Sequence, residues 1–215
     1  MSTVDHLRVL LTGAPMTLAV TGGALALGAV AGVPVMFLTR SRHAPVRAVT
    51  RLAVDIARGV PPIAWIFILY YGLAQDAVRL QPVPAAVLGL GLISAAYLAE
   101  VYRSGVSSVD AGQWAAGRAL GLSEPRLFVA VIAPQALRTA VPPAATFALN
   151  LLKDSAIASV IGVRDVTYHA SQEAQRSLDT LTIFLLAGAL YLLLGLPLAV
   201  VSRKLDRRLG LGLRR

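Results

Sequence analysis

Glu100 and Arg103 stand three residues apart at the end of a long apolar run, and Lys153 and Asp154 are neighbours between two others. Charge inside an apolar span is expensive, so such residues are read first as functional. A spacing of three puts Glu100 and Arg103 on one helix face. There they serve either as a local ion pair that orients the helix end or as a gate or substrate contact. Asp55 and Arg58 repeat the spacing, and for them the local pair is the simpler reading. Lys153-Asp154 sets an ammonium beside a carboxylate, the two partners a zwitterion needs; its other use is to hold an interface between subunits. Tyr97, Glu100, Arg103, Lys153 and Asp154 are the candidate substrate path or gate.

Covalent chemistry has little to work with. The chain has no cysteine, which removes disulfides, iron–sulfur clusters and thiol catalysis. His6, His43 and His169 lack the paired spacing of a metal site. No G-x-x-x-x-G-K-S/T loop occurs, so the chain does not bind ATP in that way. No His/Asp/Glu cluster falls on one face of an apolar run, which argues against a membrane-embedded enzyme.

Residues 107–134 form a polar island between apolar runs. Asp110 with Gln113 three residues on has the form of a capping box, in which the first accepts from free N–H groups and the second reaches back. The alanine-rich 111–120 favours helix, and Gly121 suits the left-handed residue after a helix end. Ser123 can cap a second helix with Pro125 in its first turn. The product is a helix of about ten residues, a sharp turn, and another helix. Such a helix either rests on lipid through Trp114 and Leu120 or offers them to a soluble partner.

The elements that must position these residues are long and apolar. The 215 residues are 56% hydrophobic and 14% charged, with mean hydropathy +0.69; soluble domains carry about 25% charged residues. Charge-free runs cover 14–38, 59–75, 80–99 and 180–202, near the ~20 residues a spanning helix needs. A fifth, 139–152, is short and reads as part of an interrupted span. The expectation is an all-α polytopic membrane bundle, one transmembrane domain over 1–215, with five spans at about 14–38, 54–75, 80–103, 138–163 (interrupted) and 180–202. Gly28 and Gly32 mark a small-residue packing face on the first span. Basic residues number fifteen on alternate segments against five on the others. That bias puts the N-terminus outside and the C-terminus in the cytoplasm. The net charge of +9 is then a topology signal, and no nucleic-acid partner is needed to explain it. Arg8, an apolar stretch and Ala24-Leu25-Ala26 imitate a signal peptide, but the run continues uncharged to Leu38 and meets an arginine cluster, the pattern of a retained span.

The polar island resembles the cytoplasmic loop of ABC-importer permeases, whose pattern is E-A-A, three residues, glycine, nine residues, then I-x-L-P. Ala115-Ala116-Gly117 stand in the E-A-A place, Arg118-Ala119-Leu120 are the three, Gly121 is the glycine, and Val131-Ile132-Ala133-Pro134 close the motif. More specifically, the chain is similar to the five-span polar amino-acid permeases. Arg58-Gly59-Val60-Pro61 matches their R-G-T-P; 96–105 matches A-Y-x-A-E-x-x-R-x-G; Gly112-Gln113-Trp114 matches G-Q-W. Further on, 134–138 matches P-Q-A-L-R, and 151–155 matches L-L-K-D-S/T ahead of S-V-I-G-V. The matches stay in order over about 13–202.

The resemblance implies a type I ABC-importer permease fold in a bacterial inner membrane. Two permease chains, alike or different, would form the pore, and an extracytoplasmic binding protein would deliver polar amino acids. The loop would dock as a coupling helix, through Asp110, Gln113, Trp114, Ala115, Ala116, Gly117, Arg118, Leu120 and Gly121, on a dimer of ATPase subunits. ATP and magnesium would belong to those subunits, and this chain would bind no cofactor. Other readings are an importer of an osmolyte or other small zwitterion, or a non-transporting membrane scaffold, which leaves Lys153-Asp154 without a purpose. Two positions depart from the family: its loop glutamate is Ala115 here and the leucine before its proline is Ala133. Losing the carboxylate removes a charge-assisted contact. Docking by shape then carries the loop, or the second permease chain of a heterodimer keeps the acidic copy.

Overall fold

A computed structural model describes residues 3–72, 80–177 and 179–208. In chain order the helices are α1 (Thr3–Leu11), α2 (Ala14–Thr39), α3 (Ala44–Gly59), α4 (Pro62–Phe67), α5 (Pro82–Ser107) and α6 (Ala111–Ala119). They continue with α7 (Glu124–Leu127), α8 (Ala133–Asp154), α9 (Val166–Ser177) and α10 (Thr180–Arg208). A π-helical segment, Ile68–Gly72, extends α4; another, Phe128–Ile132, joins α7 to α8; a 3₁₀ segment, Ser155–Ile161, ends α8. Among the described residues there is no strand.

Four segments are long and apolar enough to cross a membrane: Thr3–Thr39, Pro82–Ser107, Glu124–Ile161 and Thr180–Lys204. The second expected span, 54–75, is not one helix. Ala44–Gly59 and Pro62–Gly72 meet at 102°, and the crossings number five when this bent pair counts as one. The cause is local. Pro61 has no N–H, so the carbonyl of Ala57 loses its helical donor, and Val60 before it is held extended (φ −83°, ψ 132°). The indole Nε1 of Trp65 donates to that carbonyl at 3.2 Å, closing the bend. Residues 73–75 lie outside the described residues.

The expected interruption of 138–163, by contrast, is not a bend, since Glu124–Ile161 forms one helical segment. Its irregularity is chemical: Pro142 and Pro143 sit inside α8 and withhold donors from the carbonyls of Arg138 and Thr139. The helix then tightens at Ser155 and ends at Gly162, whose φ is +90°. The second half of the expected loop therefore belongs to this long segment.

α5 is the hub, with α2 along one side, α8 along another, and α10 outside α8. The small-residue face does what its spacing implies. A Cβ on Gly28 would collide with Ser94, and one on Gly32 would come within 3.3 Å of Ala95, Leu98 and Ala99. Val20, Leu90, Leu98, Phe147 and Leu151 fill the interior, while Val30, Leu181 and Leu192 point outward, each more than 70% exposed. So large an apolar exterior suits lipid.

Candidate functional site

The charged residues of α3 and α5 converge on one groove. Adjoining hollows, the largest about 480 Å³, share Asp55, Arg58, Tyr97 and Glu100 in their walls. Arg103 Nη2 lies 2.7 Å from Glu100 Oε2, and its Nε donates to both carboxylate oxygens. This forked, charge-assisted contact fixes Glu100. The Arg58 guanidinium stands 5.7 Å from the Tyr97 ring centroid, within cation–π range. Tyr97 in turn stacks on Phe147 of α8 (4.3 Å, 16°). Asp55 is exposed and joins none of the three ion pairs among the described residues. The expected Asp55–Arg58 pair is thus not formed. Thr139 and Pro143 line the α8 wall, where the proline pair leaves backbone carbonyls without helical donors. The groove offers three arginines (Arg51, Arg58 and the Glu100-bound Arg103), two carboxylates, an aromatic face and bare acceptors.

Lys153 and Asp154 are elsewhere. They end α8, roughly 20 Å of helix beyond Thr139. Lys153 is exposed and Asp154 half-buried, and they make no ion pair within 4.0 Å among the described residues.

At the other end of α8, α6 hangs from α5 as a capped polar helix. Asp110 accepts from the N–H of Gly112 at 2.7 Å. Gln113 does not reach back to complete a capping box; its side-chain oxygen accepts from Gln135 at 3.3 Å. The exit is a Schellman turn: Leu122 N donates to Gly117 O, Gly121 N to Arg118 O, and Gly121 has φ +74°. Gly117 is buried where any side chain would strike Leu127, so α6 lies close on α7. Ser123 precedes α7 without a side-chain cap bond. Arg118 bridges to Glu124 at 2.7 Å, which pushes its already high pKa further up, and its guanidinium lies 5.9 Å from the Trp114 ring. Trp114 is half-buried with Met36, Val106 and Leu127. It seats the helix, and Ala115, Ala116 and the 80%-exposed Leu120 form its outward surface.

A third polar group, at the far end of the bundle, did not emerge from the sequence. His6 Nδ1 lies 2.8 Å from Glu173 Oε1, and both are buried. Thr17 Oγ1 accepts from Val166 N at 3.2 Å. Asp165 caps α9 through the N–H of Tyr168 (2.7 Å), while its Oδ2 is the one buried side-chain N or O atom without a partner among the described residues. Burial pushes the Asp165 carboxyl up to about 6 against the backbone donors that lower it. An aspartate three residues ahead of a helical N–H is a legible cap; His6 and Glu173, 167 residues apart, carry no local signal.

Membrane-length helices, a charged groove along α3 and α5, and a capped polar helix on one end are the layout of a membrane transport subunit. The chain belongs to the family described as binding-protein-dependent transport system inner membrane component, which matches residues 24–211. It is 33% identical over 205 residues to the probable amino-acid ABC transporter permease YckA of Bacillus subtilis, covering 95% of this chain and 91% of that one. It is 34% identical to the nopaline transport system permease NocM of Agrobacterium fabrum (93% and 86% covered). The crystal structure of an amino acid ABC transporter with histidines superposes with TM-score 0.88 at 29% identity, over 95% of this chain and 96% of that one. The MetNI methionine transporter, at 21% identity and TM-score 0.78, shares the fold.

Proposed function

We propose that this chain is the permease subunit of an ATP-driven importer of polar amino acids. The observation that carries the reading is the groove of Asp55, Arg58, Tyr97 and Glu100, a charged face on an otherwise apolar bundle. Arg58 would take the substrate carboxylate. Asp55, Glu100 and the freed carbonyl of Thr139 would take its ammonium, since a desolvated zwitterion needs both partners. Any small zwitterion meets the same requirement, so the cargo's side chain would be chosen elsewhere, by an extracytoplasmic binding protein. Five crossings, with the N-terminus outside as the arginine bias favours, would put α6 in the cytoplasm. There Ala115, Ala116 and Leu120 would enter a cleft of an ATPase subunit, which holds the ATP and magnesium. Two permease chains would close the pathway, and Lys153-Asp154, outside the groove, would face the second.

The test is uptake into proteoliposomes by the assembled complex. Arg58→Ala and Glu100→Gln should each cut ATP-driven uptake by on the order of tenfold or more, the loss of one charge-assisted contact, with the ATPase still co-purifying. If no amino acid stimulates ATP hydrolysis in the presence of the binding protein, the reading is wrong.

A further inference from the structure

Where the end of α2 passes α5 and the α7–α8 segment, two hollows meet. The inner one, about 240 Å³, is walled by Val33, Met36, Phe37, Val106, Phe128 and Leu137, with no charged side chain in its lining. The outer one, about 610 Å³, shares Met36, Phe37, Val106 and Phe128 and adds Arg40, Arg42, Trp114 and Glu124. The shared walls make them one crevice, apolar at depth and cationic at the mouth. The rings of Phe37 and Phe128 stand 5.3 Å apart across the junction of α2 with the π-helical segment.

The mouth carries net positive charge, two arginines beside Glu124, whose carboxylate also feels Arg42. Glu124 is already paired with Arg118 at 2.7 Å. Arg40 and Arg42 are exposed and join none of the three ion pairs among the described residues. Arg40 makes one long hydrogen bond, 3.3 Å to Ser107 Oγ. Two guanidinium groups at a helix end bind phosphate oxygens in a fork. Below them, Val33 to Arg40 covers roughly 10 Å of helix, about a third of the ~30 Å hydrocarbon layer. An apolar crevice at that depth offers a chain of methylenes dispersion contacts along its whole length. Phosphate above and hydrocarbon below are the two halves of one molecule.

We propose that this crevice binds a single anionic phospholipid, with its phosphate on Arg40 and Arg42 and one acyl chain passing beside the Phe37–Phe128 ring contact into the hollow walled by Val33, Val106 and Leu137. Trp114 forms part of the mouth, so the lipid joins the end of α2 to α6. Binding follows from the crevice alone; any effect on coupling to ATP rests on the function proposed above.

The absence of native cysteine allows a single reporter. Leu137→Cys, carrying a small fluorophore at the edge of the crevice, is placed with the full chain in phosphatidylcholine nanodiscs. Brominated-chain phosphatidylglycerol should quench it at a mole fraction on the order of tenfold lower than brominated-chain phosphatidylcholine, the preference expected from two surface arginines. Arg40→Gln with Arg42→Gln should erase the preference, and the double lysine variant should keep most of it, which separates charge from misfolding. Val33→Phe should reduce quenching by both lipids with the circular dichroism spectrum unchanged. Equal quenching by the two headgroups overturns the proposal, as does a preference that survives the double glutamine change. It also falls if Val33→Phe has no effect.

Discussion

The two ends of the bundle fix a short helix beside long ones in opposite ways. At the α6 end the fixings are local and wet. Asp110 caps Gly112 two residues on, Arg118 reaches Glu124 six residues on, and both contacts are exposed. At the α1–α9 end they are distant and dry. His6 meets Glu173 across 167 residues and Thr17 meets Val166 across 149, all buried. Exposed ion pairs hold little energy, whereas a buried pair is strongly destabilising when one partner goes. One end is thus held by weak exposed contacts, and the other by buried ones.

The largest test of this contrast is His6→Ala. It strands Glu173 in the interior, and about 3–5 kcal/mol of stability should go with it, read as a fall in thermal midpoint in a fixed detergent–lipid mixture. Glu173→Gln should be milder, because an amide can still hydrogen-bond the imidazole. A change no larger than that of a surface substitution would mean that the α1–α9 contact is not holding the end together.

Asp165 gives the next largest effect, through pH. Its carboxyl, 1% exposed, is raised from 3.8 to about 6 chiefly by burial. The folded chain therefore holds that proton more tightly than the unfolded chain. The resulting stabilisation is complete below pH 3.8 and is lost as pH rises through 6, a difference of roughly 3 kcal/mol by pH 7. Asp165→Asn keeps an oxygen for the Tyr168 N–H and cannot ionise. Measured as its midpoint minus the wild-type midpoint, the variant's advantage should grow between pH 4 and 7. A flat difference across that window would show that Asp165 is hydrated, and that the far end is looser than its packing indicates.

The same contrast explains what could be read from the chain before its fold. Asp110, Gly121 and the apolar runs act within a few residues of themselves, so the cap, the left-handed turn and the membrane-length helices were all legible. Glu100 with Arg103, one turn apart, was legible for the same reason. The bend at Pro61 was concealed because the charge-free run passes straight through it, and hydropathy carries no direction. The short charge-free run 139–152 suggested an interruption, yet Glu124–Ile161 is one helical segment in which Pro142 and Pro143 withhold only two backbone donors. Lys153-Asp154 was grouped with Tyr97 by its charges alone; nothing in the spacing could say that α8 carries the pair roughly 20 Å from the groove. His6, Glu173 and the orphaned oxygen of Asp165 arise from contacts between distant segments, which no window of residues contains.

The smallest effects belong to α6, and there stability and function should separate. Asp110→Ala removes one cap and should cost about 1 kcal/mol, a loss that an exposed helix leaning on Leu127 through Gly117 can tolerate. Leu120→Ala should leave the midpoint within about 0.5 kcal/mol of wild type, as for surface positions away from special features, because that side chain is 80% exposed. If α6 is a coupling helix that docks by shape, Leu120→Ala must nonetheless lower substrate-stimulated ATP hydrolysis and uptake. Trp114 is the poorer probe, since it is half-buried among Met36, Val106 and Leu127, and changing it would confuse unseating the helix with undocking it. Normal uptake in a stable Leu120→Ala complex would move the docking surface off α6. The acidic residue missing at Ala115 would then mark a loop that has given up its grip.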